Sequence, residues 1–112
     1  MKKVTQLPIV VTFNVKVVEH DGVSYVRIRD ISDALGIKQP FEFTSTIRKT
    51  LGEVCVLTKE DTKDFRLDGD TSRTPYIMVM DMLDFLEQDL KQLRNNDRVE
   101  EIKSVLEYHL FK

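Results

Sequence analysis

One segment, from Tyr25 to Pro40, constrains the fold of this 112-residue chain more than any other. It reads Tyr-Val-Arg-Ile-Arg-Asp-Ile-Ser-Asp-Ala-Leu-Gly-Ile-Lys-Gln-Pro and begins as a β-rich run. Asp30 is placed to cap a short helix over Ile31–Leu35, and Gly36 can adopt the left-handed conformation that ends such a helix. Because proline is favoured in the first turn of a helix, a second helix should begin at Pro40. The segment therefore predicts a strand followed by a helix-turn-helix-like pair.

A β-hairpin is predicted before this segment. The stretch Ile9–Glu19 alternates between apolar and polar residues over its second half, which is typical of a half-buried strand. The pair Asp21-Gly22 separates it from the β-rich run Val23–Ile28. Because Asp-Gly favours the positive φ angles of a two-residue turn, the two runs should pair as a hairpin.

Two further strands are predicted in the middle of the chain, over Val54–Thr58 and Pro75–Val79. The sixteen residues 59–74 between them are polar and too many for a simple hairpin loop. We therefore expect this segment to be mobile or to form part of a binding surface.

The last third of the chain predicts an αα-hairpin. A first helix should begin at Asp81 and end near the turn signal Asn95-Asn96, and a second should follow the capping-box pair Asp97 and Glu100. Each helix has one apolar stripe. The stripes consist of Leu83, Leu86, Leu90 and Leu93, and of Val99, Ile102, Leu106 and Leu110.

These elements together predict an α+β fold, in which a small antiparallel sheet of about four strands carries the helix pair and the αα-hairpin. At this length one domain over residues 1–112 is expected. Its parts would be a β-hairpin (1–29), a helix pair (30–52), a strand pair with a long polar loop (53–80) and an αα-hairpin (81–112).

Composition excludes several classes of protein. With 41% apolar and 32% charged residues, the chain has neither the composition of a disordered protein nor that of a membrane protein. The longest apolar run, Leu7–Phe13, is far short of the roughly 20 residues that a bilayer requires, so we expect no membrane contact and a cytoplasmic location. Cys55 is the only cysteine, which excludes an internal disulfide and a cysteine-based zinc site.

Catalytic and cofactor motifs are missing from the sequence. His20 and His109 have no ligand or nucleophile nearby in sequence, so we expect them to be solvated or to lie at helix ends. Four aspartates between Asp61 and Asp70 lack the closing glutamate of a calcium loop, and a solvated acidic loop is the better interpretation. Since no phosphate-binding or dinucleotide-binding glycine motif occurs either, we expect no enzyme, metal or cofactor.

The second helix of the pair offers the best candidate site. If Phe43, Ile47 and Leu51 hold its inner face to the core, its outer face carries hydroxyl and cationic side chains that suit DNA phosphates and guanine edges. Polar residues just before it would lie at the helix N-terminus, where the helix dipole favours phosphate. An ordinary solvated helix face accounts for the same residues equally well. The candidate DNA-binding residues are Lys38, Gln39, Thr44, Ser45, Arg48 and Lys49.

The order of elements resembles the BRO N-terminal domain, which is found in phage antirepressors and baculovirus repeated-ORF proteins. In that family a hairpin leads into an aromatic-containing strand and a K-D-V-A-E-A-L-G-Y-x-N-P-like segment, whose place is taken here by Tyr25–Pro40. The run Pro75-Tyr-Ile-Met-Val-Met-Asp-Met-Leu83 is similar to the strand-to-helix segment of the family. The resemblance covers residues 8–95 and implies DNA-binding or antirepressor activity in a phage or mobile element.

A protein-interaction module that never contacts DNA is the second interpretation. Residues 1–58 carry eight Lys and Arg against six Asp and Glu, whereas residues 59–112 carry nine against thirteen. Because acidic helices are repelled by DNA, the C-terminal helices would instead pair two subunits in a homodimer or bind a protein such as a repressor. Double-stranded DNA and a protein partner are therefore both expected candidates.

Overall fold

The computed structural model describes residues 2–6 and 15–111. Within these ranges the chain forms a four-stranded antiparallel sheet and five α-helices, which confirms the predicted α+β class. The strands, in their order across the sheet, are β1 (Lys2–Gln6), β2 (Lys16–His20), β3 (Val23–Arg27) and β4 (Tyr76–Met78). The helices are α1 (Ile28–Ala34), α2 (Pro40–Leu51), α3 (Lys59–Thr62), α4 (Val79–Leu86) and α5 (Arg98–Phe111).

The predicted hairpin is confirmed where the structure describes it. Asp21 and Gly22 have φ angles of 51° and 79°, as a two-residue turn requires, and they join β2 to β3 with Val17 opposite Val26. Residues 9–14 of the predicted first strand lie outside the described residues. The strand β1, which the sequence pattern did not indicate, pairs with β2.

Both faces of the sheet are covered. Because side chains alternate along a strand, Val17, Val26 and Ile77 lie on one face, where they join the main core with the helices. Val18 and Tyr76 lie on the other face and form a second cluster with Phe65 of the polar segment. The segment 59–74 is therefore a layer packed on this face of the sheet. Its few apolar residues hold it there, although most of its residues are polar.

The helix α1 differs from its prediction at its start. It begins at Ile28, three residues earlier than predicted, so Asp30 lies inside the first turn and does not cap it. The Asp30 carboxylate instead accepts from Arg27 Nε at 3.0 Å and from the Lys16 backbone N–H at 3.4 Å. At the other end the helix stops at Ala34, one residue before the predicted Leu35, and Gly36 has the predicted left-handed conformation, with a φ of 76°.

The predicted third strand over Val54–Thr58 is wrong. Residues Glu53–Cys55 form a 3-10 turn in which Val54 is 86% exposed. Only Leu57 pairs with the sheet, by two backbone hydrogen bonds to Tyr76 of 2.7 and 3.0 Å. A strand needs a row of partners, and the chain turns into α3 before it can form one.

The first C-terminal helix is shorter than predicted. It begins at Val79 and ends at Leu86, whereas the prediction placed it from Asp81 to near Asn95. Residues 87–97 form turns, and Asn95 has a φ of 59°. Both apolar stripes nevertheless reach the main core, and α4 packs against α5. At the start of α5 the side chain of Asn96, one residue before the predicted cap, accepts from the Arg98 N–H at 3.1 Å.

Candidate nucleic-acid interface

A groove with a volume of about 510 Å³ lies beside α2. One wall is a stripe along the helix, formed by Pro40, Phe41, Thr44 and Arg48. The opposite wall is the segment 71–75, which leads from the packed polar layer into β4. The groove is therefore built where a helix of the predicted pair meets the long segment before the last strand.

The amphipathic pattern of α2 creates both the core contact and the groove wall. The helix extends from Pro40 to Leu51, as predicted, and ends at Gly52 with a φ of 108°. Phe43 is fully buried and packs edge-on against Phe85, with 5.4 Å between ring centroids. Phe41, two positions earlier, points away from that core and is 75% exposed. One of the side chains that line the groove is therefore an aromatic ring exposed to solvent.

Three arginines give the groove its charge. Arg29 comes from α1, Arg48 from α2 and Arg73 from the segment 71–75. Within the described residues, neither Arg29 nor Arg73 forms an ion pair or a side-chain hydrogen bond. Arg48 has one partner, since its Nε lies 3.0 Å from Oε1 of the exposed Glu53. Because none of the described lining residues is acidic, the groove presents a positive surface.

Arg66 holds the segment 71–75 in place. Its Nη2 donates to the carbonyl oxygens of Thr71 at 2.6 Å and Thr74 at 3.2 Å, and its Nη1 donates to the Thr62 hydroxyl at 3.0 Å. The guanidinium carbon also lies 5.6 Å from the centroid of the Tyr76 ring. One side chain thus joins α3, the groove wall and the start of β4.

Asp70 anchors the same wall to the sheet. Its Oδ1 accepts from Arg27 Nη1 at 3.0 Å, and its Oδ2 accepts from the Tyr76 hydroxyl. That hydroxyl in turn accepts from the Leu67 N–H at 2.9 Å. Burial, reinforced by donation to Asp70, raises the pKa of Tyr76 well above its ordinary value. The predicted solvated acidic loop is therefore wrong at Asp70, whose carboxylate is buried and paired.

The structure divides the predicted site residues into two groups. Arg48 and Thr44 line the groove, but Thr44 is buried and its hydroxyl donates to the Pro40 carbonyl at 2.9 Å, so it is not on the exposed face as predicted. The others are exposed and lie outside the groove: Lys38, Gln39, Ser45 and Lys49. The two lysines are exposed near the ends of α2, and the exposed Glu42 lies on the same face of the helix as Lys49.

Sequence patterns did not indicate Arg29, Phe41 or Arg73 as site residues. A signal for Phe41 was present, because it falls outside the stripe that Phe43 and Ile47 begin and directly follows a helix-starting proline. No comparable signal marked Arg73, whose place in the groove depends on the distant anchor at Asp70.

The histidines lie away from the groove. His109 lies in the last turn of α5, which is the helix-end alternative of the expectation, and it is buried, with its Nε2 2.9 Å from Glu19 Oε1. His20 stacks on Phe65, with 5.1 Å between ring centroids. Across the ranges 2–6 and 15–111, no three His, Cys, Asp or Glu side chains are grouped to hold a metal ion. None of the helices described above is long and apolar enough to cross a membrane.

Fold and groove define the protein as a small α+β domain with a cationic, aromatic-edged groove beside its second helix. Comparison of the chain with protein-family models, curated proteins and solved structures gives no significant match. The resemblance to the BRO N-terminal domain therefore stays a prediction.

Proposed function

We propose that the protein is a cytoplasmic DNA-binding or transcription-modulating domain of the phage or mobile-element antirepressor type, and that it acts by binding rather than by catalysis. The observation that carries the proposal is the groove beside α2, which brings three arginines together with no carboxylate among its described lining residues. Guanidinium groups form paired, charge-assisted hydrogen bonds to phosphate, so such a cluster suits a nucleic-acid backbone.

The exposed residues around α2 support the same proposal. Lys38 precedes the helix and Lys49 lies near its end, and both side chains are exposed. Ser45 lies on the same exposed side of the helix and offers a hydroxyl for a phosphate oxygen. Because phosphates repeat along a DNA strand, cations both inside and outside the groove can contact one duplex at several points.

A salt titration tests the proposal. Binding of a labelled DNA duplex is measured by fluorescence anisotropy over a series of salt concentrations, for the wild type and for Arg48→Ala/Lys49→Ala. We expect the logarithm of the wild-type association constant to fall linearly with the logarithm of salt concentration, and the double variant to reduce that slope by about 2. Absence of salt-sensitive binding to both operator-like and random duplexes would contradict the proposal.

A specific observation favours a protein partner as the second candidate function. Tyr108 and Phe111 are each 73% exposed and lie three residues apart on α5, where they form an apolar pair on one side of the helix. Such a pair suits the surface of a repressor or of a second subunit. Capture of a repressor that survives nuclease treatment and is lost in Tyr108→Ser/Phe111→Ser would support this candidate. Capture only through DNA would contradict it.

A further inference from the structure

We propose that the groove binds one unpaired nucleotide of a DNA strand, with its phosphate against Arg29, Arg48 and Arg73 and its base against Phe41. This inference rests on the proposed DNA-binding function and specifies which form of DNA the groove takes. It predicts that single-stranded DNA binds more tightly than a duplex of the same sequence.

The charged part of the groove fits a phosphate. Arg29 and Arg73 form no ion pair or side-chain hydrogen bond within the described residues, and Asp30, on which the charge of Arg29 acts, is itself bound by Arg27. A bound anion would therefore break no direct ion pair of either arginine. Thr71 and Ser72 are exposed and line the groove beside Arg73, and their hydroxyl groups can donate to phosphate oxygens. Guanidinium donors from α1, α2 and the segment 71–75, and hydroxyl donors from that segment, therefore line the same groove.

The remaining volume of the groove exceeds what a phosphate needs. At about 510 Å³ it lies within the range of sites for small organic ligands. Its other lining side chains include the apolar Phe41, Val56 and Pro75. A ring that is 75% exposed in the free protein offers a face on which a base can stack, and base–aromatic stacking contributes about 1–3 kcal/mol per base. The groove thus combines a phosphate site with a stacking site.

The need for an unpaired base follows from how bases are arranged in a duplex. There each base is stacked on its neighbours, and only its edges are open to the grooves. A ring can stack on the face of a base only after that base leaves the stack, which costs a few kcal/mol in a duplex and much less in a single strand. Phosphates of a duplex can still contact Lys38 and Lys49, so duplex binding should persist but be weaker.

A phosphotyrosine peptide also joins a phosphate to a ring, but the distribution of charge favours DNA. Cationic side chains continue outside the groove at Lys38 and Lys49, on the same helix region that forms its wall. One phosphate would use only the arginines of the groove, whereas a DNA strand supplies a phosphate for each of the cations in turn.

The experiment compares labelled oligonucleotides of about 12 nucleotides, which is within the site size of known single-strand-binding folds. Fluorescence anisotropy measures binding of a single strand and of its blunt duplex to the wild type, to Phe41→Ala and to Met80→Ala. Met80 is the control, because it is an apolar side chain that is 49% exposed and lies on α4, where it does not line the groove. A nucleoside monophosphate and a phosphotyrosine peptide serve as competitors.

We expect the single strand to bind about 5- to 100-fold more tightly than the duplex. Phe41→Ala should remove most of this preference and leave duplex binding nearly unchanged, whereas Met80→Ala should change neither. The competitors should displace the single strand only at concentrations well above its dissociation constant.

Each of four results would overturn the inference. The first three leave the proposed DNA-binding function in place, and the fourth would favour a phosphorylated protein as the partner. These are equal binding of duplex and single strand, equal effects of Phe41→Ala and Met80→Ala, competition by the mononucleotide at the affinity of the oligonucleotide, and tighter Phe41-dependent binding of the phosphopeptide. Absence of salt-sensitive binding to any DNA is a different result, and it would contradict the proposed function itself.

Discussion

Arg27 and Asp70 form a buried ion pair, with 3.0 Å between Nη1 and Oδ1, that joins the end of β3 to the segment forming one wall of the groove. Arg27 also binds Asp30 through its Nε at 3.0 Å. One guanidinium thereby links the first turn of α1 to the polar layer on the back of the sheet. Together with the apolar contacts of Phe65, the ion pair holds a segment rich in charged residues against the sheet.

Loss of this anchor should destabilise the fold. We expect Asp70→Ala to lower the free energy of unfolding by about 3 kcal/mol, because it removes one of the two carboxylates that compensate the buried charge of Arg27. The loss should lie at the lower end of the usual range, since Arg27 keeps Asp30. Urea unfolding followed by circular dichroism measures the change.

The exposed ion pair between Arg94 and Asp89, at 2.7 Å, supplies the control. Because water and salt screen both of its charges, Asp89→Ala should cost less than about 1 kcal/mol. Equal losses in Asp70→Ala and Asp89→Ala would show that the anchor contributes no more than a surface pair.

Tyr76 should make stability depend on pH in the alkaline range. Burial and its hydrogen bond to Asp70 raise its pKa above the ordinary value of about 10, so the folded state keeps a proton that the unfolded state loses. The contribution of Tyr76 is therefore complete below about pH 10 and declines as pH rises further, by up to about 1.4 kcal/mol per pH unit. Urea unfolding of the wild type and Tyr76→Phe across this range measures it.

We expect Tyr76→Phe to be less stable than the wild type at neutral pH by about 1–2 kcal/mol, because it lacks the hydroxyl that binds Asp70 and Leu67. The difference between the two proteins should shrink as pH rises above about 10. A difference that stays constant over that range would contradict the assignment.

Two phenylalanines of α2 should behave in opposite ways. Phe43→Ala removes a fully buried ring that packs on Phe85 and should lower the free energy of unfolding by about 3–5 kcal/mol. Phe41→Ala removes an exposed ring and should change it by less than about 0.5 kcal/mol. A large loss in Phe41→Ala would mean that this ring supports the fold and is not free for a ligand.

Glu53 should compete with DNA for Arg48. Its Oε1 lies 3.0 Å from Arg48 Nε at the edge of the groove, so Glu53→Gln should release the guanidinium and raise DNA affinity by up to about 5-fold. The exposed Glu101 on α5 gives a variant with the same change in net charge, Glu101→Gln. An equal rise in affinity in both variants would show a general charge effect and no competition at Arg48.

Signals from residues close together in the sequence were sufficient to predict several elements of the fold. The Asp21-Gly22 turn, the limits of α2 between Pro40 and Gly52, and the apolar stripes were predicted correctly, because each depends on residues close together in the chain. The start of α1 was not, since Asp30 binds Arg27 instead of capping. Although Arg27 is only three residues away, the capping pattern does not show that the helix begins at Ile28 and leaves Asp30 inside its first turn.

The groove could be predicted only in part. Arg48 was found from the helical pattern of α2, but its neighbours Arg29 and Arg73 come from separate segments. Their proximity depends on the packing of the polar layer by Phe65 and on the link between Arg27 and Asp70, which are 43 positions apart in the chain. Pairings over such separations leave no periodic trace in a single sequence.

Amide chemical-shift mapping by NMR tests the central claim most directly, because it shows where DNA binds as well as whether it binds. A short single-stranded oligonucleotide is titrated into the uniformly labelled protein, and the shift of each backbone amide is followed. We expect the large changes at Arg29, residues 41–48 and residues 71–74, which surround the groove, with little change along α5. Changes concentrated on α5, or no changes at all, would contradict the account.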